Sequence, residues 1–355
     1  MTDASPHPDA RSNHGDDVLG AALARDDLAA DDRAAPPRSH LRRLLAKRDF
    51  AIVVAGVLLF AAFSLATDTF LTEFNLTNMV RNVSLIGIVA VGMTYLLIVG
   101  EIDLSVGSVM GFLVIVFGVL VTRWNFDPWL AAPLVILFGI ATGVLNGLIR
   151  VLLNIPSFIV TLAMLTAYRS LALIVSNERP MSIRPEGTFF WLTGGSLLNI
   201  PWLIVWMLAV MVVGAITLQY TRFGYHVYAT GGNLAAARDS GINTDRVKLI
   251  AFAITGGLVG FAAVLLFGYL RVAEPTSGTG FEFRVIGAVI VGGAALTGGL
   301  GTIQGTLIGT LIIAIITGGM VLLGFSQGAA DISTGFLIIV VGTVDLLLRR
   351  AAVRE

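Results

Sequence analysis

The sequence predicts an all-α integral membrane protein with about ten transmembrane helices. Its 355 residues are 56% hydrophobic and only 13% charged, with a mean hydropathy of +0.86. A soluble globule needs more polar surface than this composition supplies. Long apolar segments also recur between residues 51 and 348. A helix crosses a bilayer with about 20 such residues, because it satisfies its own backbone hydrogen bonds.

Hydropathy alone places the spans. Only Glu101-Ile102-Asp103 separates the second from the third, and only a glycine-rich turn separates the eighth from the ninth. Each of these two pairs is therefore also a candidate for a broken or re-entrant helix. The predicted spans are roughly 50–67, 83–100, 104–122, 129–150, 157–175, 202–219, 249–270, 285–300, 303–323 and 334–348.

Basic residues predict the orientation. Lysine and arginine cluster before the first span, within residues 221–248 and after the last span. An even number of spans puts these clusters on one side, as the positive-inside rule requires, so we expect both termini and the 221–248 loop to be cytoplasmic. Residues 1–38 lack a sustained apolar period, and we expect a disordered acidic cytoplasmic tail there. Residues 39–350 are expected to form the membrane domain.

Several functions are excluded by what the sequence lacks. It contains no Gly-x-x-x-x-Gly-Lys-Ser/Thr phosphate-binding loop, so we expect neither nucleotide hydrolysis nor catalytic residues in this chain. Cysteine is absent and three of the four histidines lie within the first 40 residues, so no metal site is expected. The net charge of zero gives no reason to expect nucleic acid as a partner.

Two segments of the chain are similar to each other. Ile-Gly-Ile-Val-Ala-Val-Gly at residues 86–92 matches Ile-Gly-Ala-Val-Ile-Val-Gly at residues 286–292. With two residues of slippage, glycines 107 and 111 correspond to glycines 305 and 309. Duplicated halves are common in transporters, with substrate and gates near the repeat interface. The alternative is that any two glycine-rich apolar helices look alike.

Polar groups in or beside the apolar segments are candidates for a translocation path. Asp103, Asn146 and Asn154 are costly near hydrocarbon unless they face a partner or water. Hydrogen bonding between helices explains the two asparagines equally well. We expect Arg169 to snorkel outward, with a carboxylate partner or a polar path as alternatives. Glycines with small-xxx-small spacing are interpreted first as helix-packing positions and second as substrate contacts: Gly107 with Gly111, Gly143 with Gly147, and Gly301, Gly305 and Gly309.

Four blocks of sequence are distinctive in combination. Residues 100–108 read Gly-Glu-Ile-Asp-Leu-Ser-Val-Gly-Ser, and residues 154–162 read Asn-Ile-Pro-Ser-Phe-Ile-Val-Thr-Leu. Residues 177–180 read Asn-Glu-Arg-Pro, and residues 231–242 read Gly-Gly-Asn-Leu-Ala-Ala-Ala-Arg-Asp-Ser-Gly-Ile. The blocks resemble segments of the membrane permease subunits of bacterial ABC importers for ribose, xylose, arabinose and related sugars. In that family these segments are Gly-Gly-Ile-Asp-Leu-Ser-Val-Gly, Val-Pro-Ala-Phe-Ile-Ala-Thr-Leu, Asn-Gly-Arg-Pro and the coupling loop.

The resemblance implies a permease of the bacterial inner membrane that moves a monosaccharide, a pentose or a hexose, by alternating access. It implies a cytoplasmic ABC ATPase that holds ATP and Mg, an extracytoplasmic sugar-binding protein and a second permease chain. No cofactor is expected in this chain itself. The binding protein is expected to dock on a short outer helix or loop within 176–200 and on 271–284. Glu101 stands where the family usually has glycine, which leaves open an altered gate or substrate. The expected path or gate residues are Glu101, Asp103, Ser105, Asn146, Asn154, Pro156, Phe158 and Thr161.

Residues 231–242 also have a physical interpretation as a coupling segment. Asn233 is expected to cap a short helix at 234–240 whose alanines dock into a groove on a peripheral protein, which the resemblance implies is the ATPase, while Arg238 and Asp239 contact the rim of that groove. An ordinary solvated connector is the alternative. The expected coupling residues are Gly231, Gly232, Asn233, Ala235, Ala236, Ala237, Arg238, Ser240, Gly241 and Ile242.

Two other functions fit the sequence. An autonomous ion-coupled secondary carrier or channel for a small polar solute would use Glu101, Asp103 or Arg169 as an ion relay. It would transport without partners. A non-transporting membrane scaffold would use residues 231–242 only to recruit a partner, without solute flux.

Overall fold

The computed structural model describes residues 48–183 and 187–352, and helices dominate both ranges. The tail predicted at 1–38 lies outside the described residues. The helices are α1 (Arg48–Ala66), α2 (Glu73–Ile98), α3 (Val106–Gly118, continued by a π-helical turn, Val119–Arg123), α4 (Pro128–Leu153), α5 (Ser157–Ser176), α6 (Thr188–Gly194), α7 (Trp202–Tyr220), α8 (Arg222–Gly232), α9 (Leu234–Asp239), α10 (Thr244–Leu270), α11 (Phe281–Val291), α12 (Ile303–Leu322) and α13 (Gln327–Ala352).

Seven helices of the described residues are long and apolar enough to cross a membrane, where the sequence predicted about ten spans. They are α2, α3 with its π-helical turn, α4, α5, α7, α10 and α12. Helices α1 and α13 contain further apolar stretches, Ile52–Ala66 and Gln327–Thr343, in the part of the chain that the structure describes. The all-α membrane fold is therefore confirmed, whereas the count of ten and the cytoplasmic termini stay predictions.

The predicted span 285–300 is wrong. Helix α11 ends at Val291 after 11 residues, which reach only about half of the hydrocarbon thickness. Residues 292–302 are not helical. Gly293, Gly298 and Gly299 have φ angles of 98°, 89° and 78°, which an L-residue in a helix does not adopt. The glycines that look like apolar helix continuation in the sequence are what ends the helix.

Helix α2 forms the centre of the membrane domain. It begins ten residues before the predicted span, where the Thr72 hydroxyl accepts a hydrogen bond from the Asn75 amide. Every residue from Val83 to Ile98 is buried. A helix that is apolar on all sides is one surrounded by other helices, and α2 packs against α7, α10, α11 and α12.

Glycines bring helices α4 and α10 into backbone contact. A Cβ on Gly143 would overlap the Phe252 carbonyl oxygen, and a Cβ on Gly256 would overlap the Gly139 carbonyl oxygen. The packing interpretation of the Gly143 ridge is thus confirmed. Gly305 and Gly309 likewise pack on α11, whereas Gly301 (φ 158°) lies before α12 and outside the ridge.

Within the described ranges, four short strands connect the ends of helices. Strands β1 (Met181–Ser182) and β4 (Val272–Ala273) pair antiparallel, with Met181 opposite Ala273. Strands β2 (Ser196–Leu197) and β3 (Ile200–Pro201) form a small hairpin. The short helix expected within 176–200 is α6. The segment 221–248, predicted as a loop, is mostly helical, because α8 and α9 occupy it and α10 begins within it.

The two similar sequence segments occupy similar positions. Helix α2, a break at 99–105 and α3 follow one another in the same order as α11, a break at 292–302 and α12. The two breaks meet where the Gly299 amide donates a hydrogen bond to the Ile98 carbonyl (2.8 Å). Whether the halves arose by duplication stays a prediction.

Candidate translocation site and coupling surface

The break between α2 and α3 is a folded structure in its own right. Gly100 turns the chain at a φ of 79°. The Asp103 carboxylate then accepts hydrogen bonds from the Ser105 amide (2.8 Å) and hydroxyl (2.6 Å). These bonds fix Ser105, the residue directly before α3. Glu101, Asp103 and Ser105 are buried at 4%, 3% and 0% exposure. Three adjacent polar side chains are thus held inside the protein.

Side chains of α4 and α5 support this break. The Ser157 hydroxyl accepts a hydrogen bond from the Ile102 amide, and the Thr161 hydroxyl accepts one from the Leu104 amide, both at 3.1 Å. The Asn146 amide donates to the Ser105 hydroxyl at 2.9 Å. Backbone groups that a continuous helix would have paired internally are therefore paired with neighbouring helices, as irregular backbone within a membrane requires.

Glu101 joins two cations from different helices. Its carboxylate Oε1 lies 2.6 Å from Lys248 Nζ on α10 and 2.7 Å from Arg150 Nε on α4. The side chains of Glu101 and Lys248 are only 3% and 7% exposed. A charge buried to this extent is stable only when it is paired, so the three groups depend on one another. We call this set the Glu101 cluster.

The structure brings together five of the eight residues predicted to line the path. Glu101, Asp103, Ser105, Asn146 and Thr161 lie around the break, all buried. The other three are exposed. Asn154 ends α4 in the left-handed conformation (φ 52°), which asparagine tolerates well. All three line a cavity of about 350 Å³ beside Glu101: Asn154, Pro156 and Phe158.

A second buried polar group lies beside the first turn of α3 and was missed in the sequence. The buried Glu282 of α11 rests against Gly107, and its Oε2 has no hydrogen-bond partner among the described residues. Arg169 donates to the Pro275 carbonyl (3.0 Å) and the Ser277 carbonyl (2.9 Å) instead of snorkelling outward, so that expectation is wrong. The signal that could have found Glu282 is its position as a lone acid beside an apolar run.

Glycines 107 and 111 make room for the surroundings of Glu282 and Arg169 and do not form a helix–helix contact. Their missing side chains leave room for the backbone of Ser277 and Gly278, which lies against α3. The packing interpretation therefore holds in a changed form, because the partner is a non-helical segment between β4 and α11.

The short helix predicted at 234–240 is present as α9, one residue shorter at its end. The Asn233 side chain accepts a hydrogen bond from the Ala236 amide at 3.1 Å, so the predicted cap is confirmed. Ala235 and Ala236 are exposed, but Ala237 is buried against the chain itself. The exposed face of α9 is therefore narrower than the sequence suggested.

A groove of about 440 Å³ opens between α8 and α9. Arg238 turns away from it, since its side chain bonds Thr244 (3.0 Å) and Asp245 (3.2 Å) of α10. To contact the rim of a groove on a partner, as expected from the sequence, Arg238 would have to give up these bonds within the chain. The groove is lined by Tyr225, His226, Ala229, Gly232, Asn233, Ala236, Ala237, Ser240 and Ile242.

Residues 75–342 match the family described as "Branched-chain amino acid transport system / permease component". The chain belongs to this family of transporter permeases. The permease resemblance carried by the four sequence blocks is confirmed, and the chain is a multi-pass protein of the bacterial inner membrane.

Curated relatives of the permease are named for sugars. The L-arabinose ABC transporter permease protein AraH of Azospirillum brasilense is 39% identical, over 77% of this chain and 80% of its own length. The ribose import permease protein RbsC of Escherichia coli is 34% identical, over 82% and 92%. The xylose transport system permease protein XylH of Haemophilus influenzae is 32% identical, over 84% and 94%. No solved structure matches the chain.

Proposed function

We propose that the permease is the membrane subunit of an ABC importer that moves a monosaccharide, a pentose or a hexose, into the cytoplasm. A separate ATPase subunit hydrolyses ATP, with its Mg, and drives the permease between outward- and inward-open states. An extracytoplasmic binding protein delivers the sugar, and a second permease chain, identical or related, completes the transporter. This chain itself performs no chemistry and holds no cofactor.

One observation carries the proposal: the capped helix α9 lies beside a groove and connects directly to the elements that surround the helix break. Arg238 of α9 bonds the first turn of α10. One turn further along α10, Lys248 contacts Glu101 in the break. A partner that moves α9 therefore acts on the buried polar segment through a short series of contacts.

The sugar class is supported by the names of three relatives and by the chemistry of the break. Arabinose, ribose and xylose are neutral and polyhydroxylated. Hydroxyl, amide and carboxylate side chains are grouped at Asp103, Ser105 and Asn146, and the Asn146 Oδ1 has no hydrogen-bond partner among the described residues. Groups of these kinds form hydrogen bonds with sugar hydroxyls.

The orientation follows from the same proposal. With α9 on the cytoplasmic side, residues 221–248 and both termini are cytoplasmic. The outer surface then includes α6, the β2–β3 hairpin and the paired strands β1 and β4. This surface is the proposed docking area for the sugar-binding protein.

The test is transport by proteoliposomes that contain the permease, its ATPase and its binding protein. We expect uptake of labelled pentose or hexose only with ATP. Uptake is lost in an Ala235→Glu, Ala236→Glu variant, because two carboxylates on the exposed face of α9 block docking. Arg246→Glu is the matched control: Arg246 is also exposed on this side but lies outside the groove. ATP-dependent uptake that survives the double substitution would contradict the coupling role of α9.

An ion-coupled secondary carrier is the second candidate, and one observation favours it. Two carboxylates, Asp103 and Glu282, are buried beside the start of α3. Buried intramembrane acids are typical of ion relays. Uptake by the permease alone, driven by an ion gradient and abolished by Asp103→Asn, would replace the ABC proposal by this one.

A further inference from the structure

The Glu101 cluster joins three parts of the permease at one oxygen atom. Glu101 belongs to the break at 99–105, Arg150 to α4 and Lys248 to α10, and both cations contact the same Oε1. Arg150 is the more accessible of the two, with 18% of its side chain exposed against 7% for Lys248. Lys248 thus has no comparable access to water, and Glu101 is its only ion-pair partner among the described residues.

The same cluster is continuous with α9. Arg238 of α9 bonds Thr244 and Asp245, the first two residues of α10. Thr244 and Lys248 are four residues apart on α10 and therefore lie on one face of that helix. Arg238 consequently contacts this face of α10 at Thr244, on the side of the groove, and Glu101 contacts it at Lys248, on the side of the membrane domain.

The other attachments of the break are hydrogen bonds and the close packing of Gly231 of α8 against the Ile98 carbonyl at the end of α2. Ser157 and Thr161 of α5 accept hydrogen bonds from the backbone of the break, and these bonds do not lead to α9. A glycine in place of Glu101, as the resemblance implies for related permeases, would leave the break without a side chain that reaches α10. Glu101 is the feature of this chain that makes the connection ionic.

We propose that Glu101 is a positioning residue that transmits movement of α9, through Lys248 of α10, to the helix break beside Asp103 and Ser105. The inference rests on the proposed function, since it assigns the contact by which ATP hydrolysis is coupled to the opening of the path. Lys248 carries the movement, and Arg150 holds the carboxylate in place without contributing to coupling.

The test compares two substitutions that each leave Glu101 with one cation. Lys248→Gln removes the link to α10, and Arg150→Gln keeps it. Sugar uptake and ATP hydrolysis are measured in the same proteoliposomes, with ATPase and binding protein present. Because substitutions along a coupling route change coupling by a modest factor, we expect Lys248→Gln to lower uptake per ATP about tenfold. Arg150→Gln should keep this ratio within about twofold of wild type.

Two further variants keep the test decisive. Lys248→Arg retains the charge and is expected to keep uptake per ATP close to the wild-type ratio. If Lys248→Gln does not fold, the Glu101→Gln, Lys248→Met double variant takes its place, because it removes the buried charges together.

Equal loss of coupling in Lys248→Gln and Arg150→Gln, or no loss in either, would overturn the inference. So would a parallel fall of uptake and hydrolysis, which indicates a structural role alone. Wild-type vesicles without ATP-dependent uptake would contradict the proposed function as well, so the two failures are distinguishable.

Discussion

The two helix breaks meet at one hydrogen bond but are built from different chemistry. The break at 99–105 is held by side chains: Asp103 accepts hydrogen bonds from Ser105, and Ser157 and Thr161 bond the backbone of the break. The break at 292–302 contains no charged residue and is held by backbone bonds, such as the one from Gly299 to Ile98. The first is linked to other helices through ions, whereas the second is held by close approach of glycines and by one side-chain bond, from the Tyr228 hydroxyl of α8 to the Gly301 carbonyl (2.7 Å).

This difference predicts opposite sensitivities. We call residues 99–105 the side-chain break and residues 292–302 the glycine break. The stability of the side-chain break should fall when a partner group is lost, and that of the glycine break when a single methyl group is added. The substitutions below test that contrast, and thermal unfolding of the detergent-purified permease is the common measurement.

Gly231→Ala is expected to have the largest effect. A Cβ at this position of α8 would overlap the Ile98 carbonyl oxygen and lie 2.7 Å from the Gly299 amide nitrogen, so both breaks would have to move. Backbone atoms cannot yield as a side-chain end does, and we expect a loss of more than about 5 kcal/mol, or no folded protein. Its neighbour Gly232 is the control, because nothing lies within 4 Å of a Cβ there. Equal effects of the two substitutions would contradict the close approach.

Glu101→Gln is expected to come next. It leaves Lys248 and Arg150 without their shared carboxylate, and removing one member of a buried ion pair costs about 3–5 kcal/mol. Asp331→Asn is the control, since its pair with Arg284 spans 4.0 Å and Asp331 is 41% exposed. An exposed pair contributes about 0–1 kcal/mol. A Glu101→Gln protein as stable as the control would mean that water already screens the cluster.

The sequence predicts the side-chain break better than the glycine break. Asp103, Ser105 and Asn146 stand out because polar groups are rare beside apolar spans, and the structure groups them. The sequence shows only a short glycine-rich turn between the eighth and ninth spans, because glycine is common in membrane helices and its hydropathy hides the longer change of backbone angle over residues 292–302. Only φ angles such as the 98° of Gly293 reveal the end of α11.

Long-range pairing is what the sequence could not supply. Lys248 looked like one more cytoplasmic cation, yet it pairs with Glu101, which is 147 positions earlier (248 minus 101). Local signals succeeded where the physics is local: Asn233 caps α9 as predicted, because a cap depends only on the next three residues. Asn154 has a local reason too, since it ends α4 in a left-handed conformation.

Gly299→Ala is expected to have an intermediate effect. It places a Cβ at a φ of 78° and 3.0 Å from the Gly232 Cα, so it adds contact to strain. Strain of a non-glycine residue in this region costs about 1–3 kcal/mol. Gly324→Ala, with a φ of 87° and open space around it, isolates the strain alone. The excess of Gly299→Ala over Gly324→Ala measures how tightly the glycine break packs, and no excess would show that it tolerates a methyl group.

Thr161→Val is expected to have the smallest effect, but it changes a bond of the break at 99–105 alone. The substitution keeps the shape of the side chain and removes the acceptor for the Leu104 amide, so a buried backbone donor is left unpaired at a cost of about 1 kcal/mol. Thr343→Val is the control, because its exposed hydroxyl bonds only the Ile339 carbonyl of its own helix. A shift no larger than the control's would mean that the Leu104 amide finds another acceptor. In that case the break would be attached to α5 only through the bond from the Ile102 amide to the Ser157 hydroxyl.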